Sequence, residues 1–166
     1  MKKLTMKKLL TAAIVLFFAL SPNIVFSAGT IDCTTTDEKR IRTVSGKTWV
    51  EITCALTADA SDGSFPDTAI PFDVVGYYLY MVAYYYGAVT PITDDSDLTL
   101  TQGSTTGYDI LYGAGTDKID IATNNQFQPQ IGGSDAVMPI YDTLYIQIDN
   151  NSVNSATGVL IFKFIE

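Results

Sequence analysis

The sequence predicts an all-β fold: an antiparallel β-sandwich, jelly-roll or immunoglobulin-like, in a single domain. Three observations point there. Short runs rich in Val, Ile, Tyr and Thr recur along the chain, residue types that pack well on a pleated surface. Clusters of Gly, Pro, Asn and Asp separate these runs and mark turns. Almost no segment carries the 3.6-residue apolar period of a helix, and many short strands with regular turns are the pattern of a sandwich or barrel. The strongest run is Val74 to Tyr86, VVGYYLYMVAYYY, which holds six of the ten tyrosines. It is too short and too hydroxylated for a membrane helix, which needs about 20 largely apolar residues. In a strand, alternate side chains face opposite ways. Val75, Tyr77, Leu79, Met81 and Ala83 would then share one face, and Val74, Tyr78, Tyr80, Val82 and Tyr84 the other. The Leu79/Met81 face has fewer hydroxyls to satisfy and is the expected core face. Tyr78, Tyr80, Tyr84 and Tyr86 are the expected interaction surface, since Tyr is amphipathic enough for a protein contact.

Residues 1–27 read as a secretory signal peptide, leaving 28–166 as the β-sandwich domain. Lys2, Lys3, Lys7 and Lys8 form a basic start, Leu9 to Leu20 an apolar stretch, and Val25-Phe26-Ser27 a cleavage site before Ala28. Ile31 to Thr36 is a first strand, followed by the charged turn Asp37 to Arg40. Ile41 to Val44 and Lys47 to Leu56 flank Ser45-Gly46, a tight hairpin turn because Gly accepts positive φ. In the second arm Val50, Ile52, Cys54 and Leu56 alternate with Glu51, Thr53 and Ala55, the mark of a half-buried antiparallel strand. Trp49 opens that arm. Thr57 to Pro71 is a loop, Leu98 to Gln102 a strand, Gly103 to Gly107 a turn and Tyr108 to Tyr112 a short strand. Asp117 to Asn124 is the one candidate helical turn. Pro129 to Pro139 is a further loop. Leu144 to Asp149 and Val159 to Ile165 read as a closing hairpin with an Asn/Ser-rich connection.

The chain carries a formal charge of -8, with 10 basic and 18 acidic side chains. Loss of the four leader lysines would leave about -12. Such a balance argues against nucleic acid, which demands a basic footprint, and against anionic membrane surfaces. No membrane association is expected once the leader is removed. Cys33 and Cys54 are the two cysteines. In an exported chain such a pair most simply forms one disulfide, worth about 3 kcal/mol by chain entropy. The expected location is secreted, extracellular or at the cell surface, with the periplasm as the other oxidising option.

No histidine is present, which removes His-based triads and imidazole acid–base chemistry. Gly113-Ala114-Gly115 lacks the Lys-Ser/Thr pair of a phosphate loop and reads as a turn. Asp94, Asp95 and Asp97 are the candidate metal ligands, because hard cations such as Ca²⁺ take several carboxylate and carbonyl oxygens from loops. They do not fit the twelve-residue EF-hand loop. Paired carboxylates can cleave glycosides, but so short a chain leaves little room for a sugar cleft. The expectation is a protein without enzymatic activity and without a resident cofactor.

Pro91-Ile92-Thr93-Asp94-Asp95-Ser96-Asp97-Leu98-Thr99-Leu100, followed by Tyr108-Asp109-Ile110-Leu111-Tyr112-Gly113-Ala114-Gly115, resembles a pattern in small β-rich proteins encoded among tailed-phage and prophage structural genes. Trp49 with Thr57 to Ala60, and Asn150-Asn151 with Ala156 to Val159, match its two ends. The resemblance covers most of residues 47–164 and rests mainly on turn residues. It implies a structural role and brings no catalytic residues. The leader and the cysteine pair depart from it, because a virion component assembled in the cytoplasm needs neither. They point to a related domain adapted to the cell exterior.

The functional expectation is therefore an exported structural or assembly protein acting through self-association. It would be a subunit of an extracellular filament or surface layer, or a virion-like decoration protein, with a second copy of itself as partner. The alternative is a secreted carbohydrate- or Ca²⁺-binding β-sandwich module that uses the tyrosines as stacking platforms.

Overall fold

Apolar and β-branched residues at alternate positions favour a pleated backbone, and the computed structural model follows that preference. It describes residues 27–33, 41–42, 48–120 and 122–166. Nearly all of the predicted leader, the Asp37–Arg40 turn and the Ser45-Gly46 turn lie outside the described residues. Among those residues there are strands and turns but no helix. In chain order the strands are β1 (Thr30–Cys33), β2 (Ile41–Arg42), β3 (Thr48–Thr57), β4 (Thr68–Ala69), β5 (Tyr78–Tyr86), β6 (Asp97–Gln102), β7 (Tyr108–Asp109), β8 (Asn125–Phe127), β9 (Gln130–Ile131), β10 (Ser134–Asp135), β11 (Met138–Pro139), β12 (Leu144–Asp149) and β13 (Thr157–Ile165).

Among the described residues every ladder between named strands is antiparallel; a single parallel bridge joins Pro91 to Thr157. A seven-stranded sheet runs β1-β3-β13-β5-β11, with β2 also on β3 and β8 also on β5. A four-stranded sheet runs β4-β12-β6-β7, and β9 pairs with β10. β13 is the centre of the larger sheet, bonded to β3 from Thr157 to Ile165 and to β5 from Gly158 to Ile165. One hydrophobic cluster takes residues from both larger sheets: Ile52 and Leu56 of β3, Phe162 and Phe164 of β13, Leu100 of β6 and Ile146 of β12. The predicted inward set Val50, Ile52, Cys54 and Leu56 is buried in it. Cys33 stands opposite Cys54 in the β1–β3 ladder, and the two form a disulfide with Cα atoms 4.0 Å apart.

Three expectations are corrected. The strand expected from Val74 begins only at Tyr78, after a turn through Gly76 at φ 89°. Within it the ladder to β13 slips between Lys163 and Phe164: Lys163 faces Met81 and Phe164 faces Leu79. Tyr80 is therefore an extra, bulged residue, and a bulge reverses the parity of the residues beyond it. Leu79, Val82 and Tyr84 join the core, while Met81 does not. Second, β12 and β13 are not a hairpin. They belong to different sheets, and residues 150–156 cross between them with Asn150 and Ser155 at positive φ. Third, the helical turn expected at Asp117–Asn124 is absent from the described part of that stretch. Asp117 takes φ 52°, incompatible with a right-handed helix, and Ile119 instead donates its N–H to the Ser96 carbonyl at 3.2 Å.

The crossing loop is fixed by Asn151. Its Oδ1 accepts from the Thr93 N–H at 2.9 Å and the Thr93 hydroxyl at 3.0 Å. Its Nδ2 donates to the Gly63 carbonyl and, at 3.0 Å, to the Val153 carbonyl. One amide thus holds three loops together.

Tyr84 is fully buried, and its hydroxyl has no hydrogen-bond partner among the described residues. A Cβ at Gly158 would come within 2.8 Å of its ring, so the glycine leaves the space that the ring fills. Burial pushes the phenol up to about 12, the negative charge of Asp120 adds to the effect, and the nearby Ile92 backbone N–H opposes it without reaching hydrogen-bond geometry. An unpaired buried hydroxyl costs about 1–3 kcal/mol. Tyr84→Phe is expected to stabilise the fold by about 1 kcal/mol in urea unfolding, and a loss of stability would show that the hydroxyl is satisfied.

Candidate interaction face

The same register that builds the core sets the other side of the seven-stranded sheet. Between the inward residues of β3, β13 and β5, the outward ones line up in rows. Ala55, Val159 and Tyr85 form one row; Thr53, Ile161 and the fully covered Ala83 the next; Glu51, Lys163 and Met81 a third. Trp49, Ile165 and Tyr78 close the set. The bulged Tyr80 packs edge-on against Trp49, with ring centroids 5.2 Å apart and planes at 86°. An antiparallel sheet with one solvated face normally alternates apolar-in and polar-out. β13 does not: Val159, Ile161 and Ile165 are apolar and remain partly exposed.

The charge in these rows is one pair, Lys163 Nζ to Glu51 Oε2 at 3.6 Å, with side chains 34% and 30% exposed. A partly exposed pair of this kind contributes about 0–1 kcal/mol, so its interest is location. It sits in the third row, flanked by Ile161, Ile165 and Met81.

Of the four tyrosines expected to form the surface, Tyr78 (43% exposed) and Tyr86 (40%) are open to solvent and Tyr80 is partly so. Tyr84 is the correction, turned into the core by the bulge. Tyr85, outside that set, takes its place at 37% exposed. Sequence reasoning also missed Val159, Ile161 and Ile165. Their signal was present in the run VLIFKFI, apolar at every position but Lys163, which reads as a strand covered on both faces.

The candidate metal ligands do not converge. Asp94 and Asp95 are exposed, with Asp95 at φ 61°. Asp97 turns away, accepting the Asp117 N–H at 2.9 Å and the Asn150 amide at 2.6 Å. Asp95 is raised above the ordinary carboxylate range, first by Asp94, then by slight burial, then by Asp117, Asp120 and Asp97. Repulsion among solvated turn carboxylates explains that pattern. Among the described residues no group of three or more His, Cys, Asp or Glu side chains is placed to hold a metal ion.

A shallow groove of about 430 Å³ lies beside β8, lined by Lys118, Asn125, Gln126, Gln128, Gln130 and Asp135 over Met81 and Phe127. Its amides present donors and acceptors together. Sequence reasoning did not find it, because single amides in polar turns carry no periodic signal. Comparisons of the chain with protein-family models, curated proteins and solved structures gave no significant match.

Proposed function

We propose that this chain is an exported, non-enzymatic assembly subunit, built as a single-domain antiparallel β-sandwich, whose work is done by self-association. It would serve in an extracellular filament or surface layer, or as a virion-like decoration protein of the kind its turn motifs resemble. The observation that carries this reading is the apolar outer face of β3, β13 and β5, since extended apolar patches on a chain's surface mark contact sites. The bonded Cys33–Cys54 pair is consistent with an oxidising exterior. Light scattering on the exported chain is the test: an oligomer at micromolar concentration is expected, and a monomer at every concentration removes the reading.

The groove beside β8 favours a second reading, a carbohydrate-binding module. Amides with an adjacent aromatic ring are the groups that orient sugar hydroxyls by paired donors and acceptors. A saccharide that binds there would raise the melting temperature, and Gln126→Ala would abolish the rise. Failure of a broad glycan panel to shift the transition eliminates this reading.

A further inference from the structure

We infer that two copies of the chain pack face to face through the outer surface of the seven-stranded sheet, about a two-fold axis near the third row. Glu51 of each copy then meets Lys163 of the other. The inference rests on the self-association reading and specifies its surface, symmetry and residues.

The occupant is read first from charge. The chain as a whole is acidic, so most approaches of one copy to another bring like charges together. The centre of this face is the exception: the outward acid and base of β3, β13 and β5 are paired and cancel, while Asp32, exposed on β1 opposite the outward Ala55, leaves one acid at the border. At that centre a strongly basic partner would find no unpaired acid, and an acidic one would gain little. A second copy brings the same balanced centre, with its own Asp32 set off at the border. Under a two-fold operation an acid–base pair is its own complement: each side chain has its intramolecular partner and its counterpart across the axis.

The edges of the sheet narrow the choice further. Side-by-side extension needs a free, long edge strand. The edge of β5 is taken by β8 at Val82 to Tyr84 and by β11 at Tyr78 and Leu79. Among the described residues the opposite border is the four-residue β1, clipped to β3 by the disulfide, with the two-residue β2 beside it on β3. The face is the larger offering. Three strands of about nine residues cover roughly 15 Å by 30 Å. Trp49, Tyr80 and Met81 are of the types enriched at interface centres, and the Trp49–Tyr80 contact holds both rings in place before association.

The experiment uses the exported, disulfide-bonded chain in sedimentation velocity and light scattering, with far-UV circular dichroism as the folding control. The native chain is expected to dimerise, and Ile161→Asp to be a folded monomer. Glu51→Lys and Lys163→Glu, each alone, place like charges across the axis and are expected to weaken association at least about tenfold. An equimolar mixture of those two variants restores a dimer containing one copy of each. That restoration distinguishes contact between copies from the pair within one chain, and it stands even if Ile161→Asp fails to fold. A dimer that persists in folded Ile161→Asp, or a mixture that does not restore association, overturns the face while leaving self-association standing. A native chain that stays monomeric overturns both.

Discussion

Replacing both cysteines, Cys33→Ser with Cys54→Ser, is expected to lower the unfolding free energy by about 3 kcal/mol. The bond closes a span with sequence separation 21, and tethering two points that far apart removes about that much chain entropy from the unfolded state. For a chain of this length the loss corresponds to a fall in Tm of roughly 6–12 °C. The damage should be uneven. Among the described residues β1 pairs with β3 alone, at the four positions Thr30–Thr57 to Cys33–Cys54, whereas β3 keeps its ladder to β13 from Trp49 to Thr57. Ile31 and Cys33 contribute buried surface, but a strand this short gives little of its own. Hydrogen exchange should therefore show the amides of residues 30–33 losing protection well before those of β3 and β13. Reductant added to the native chain should reproduce both effects. A loss below about 1 kcal/mol, or uniform loss of protection, would show that the clip is incidental to the β1 docking.

Asn151→Ala is expected to cost about 2–4 kcal/mol, a large effect for a residue outside the hydrophobic cluster. The amide serves Thr93 as acceptor and Gly63 and Val153 as donor. Truncation leaves the Thr93 N–H and the Gly63 carbonyl without that partner, and an unmet buried or half-buried polar group carries its full desolvation cost. The three loops it joins include the crossing between the two sheets, so the loss should appear as a lower urea midpoint with an unchanged slope. Ser152→Ala is the control. Its hydroxyl lies 3.1 Å from that of Thr93 in an exposed setting, and its removal should stay within about 0.5 kcal/mol. If the two variants behaved alike, the crossing loop would be held by backbone contacts rather than by this side chain.

Much of the strand content was legible from residue type and period. β3 could be read to within a residue at each end, because Val50, Ile52, Cys54 and Leu56 alternate cleanly with residues suited to the outer face. β6 and β12 were visible for the same reason. The partner of each strand was not. Leu144–Asp149 and Val159–Ile165 look like the arms of a hairpin because they are consecutive, but pairing is decided by where the intervening chain can travel. Left-handed residues at Asn150 and Ser155 and the Asn151 anchor carry it to the other sheet. Nor could period reveal the bulge at Tyr80. A run apolar on both sides supports either parity, and the slip arises from fitting β5 against β13. The candidate site suffered from that error directly: it cost Tyr84 its place on the surface and gave Tyr85 one.

Residue types and their local order were enough for an all-β chain, a cysteine pair available for bonding, an excess of acidic side chains and the lack of imidazole chemistry. Each of these is a property that a residue carries wherever it is placed. Folding in three dimensions was needed to choose which strands are neighbours and to set Cys33 opposite Cys54. It was needed too for aligning the outward residues of three strands into one apolar face around a single ion pair. Those are relations between segments far apart in the chain. They are fixed by packing and by the closure of loops, which no window of local sequence contains.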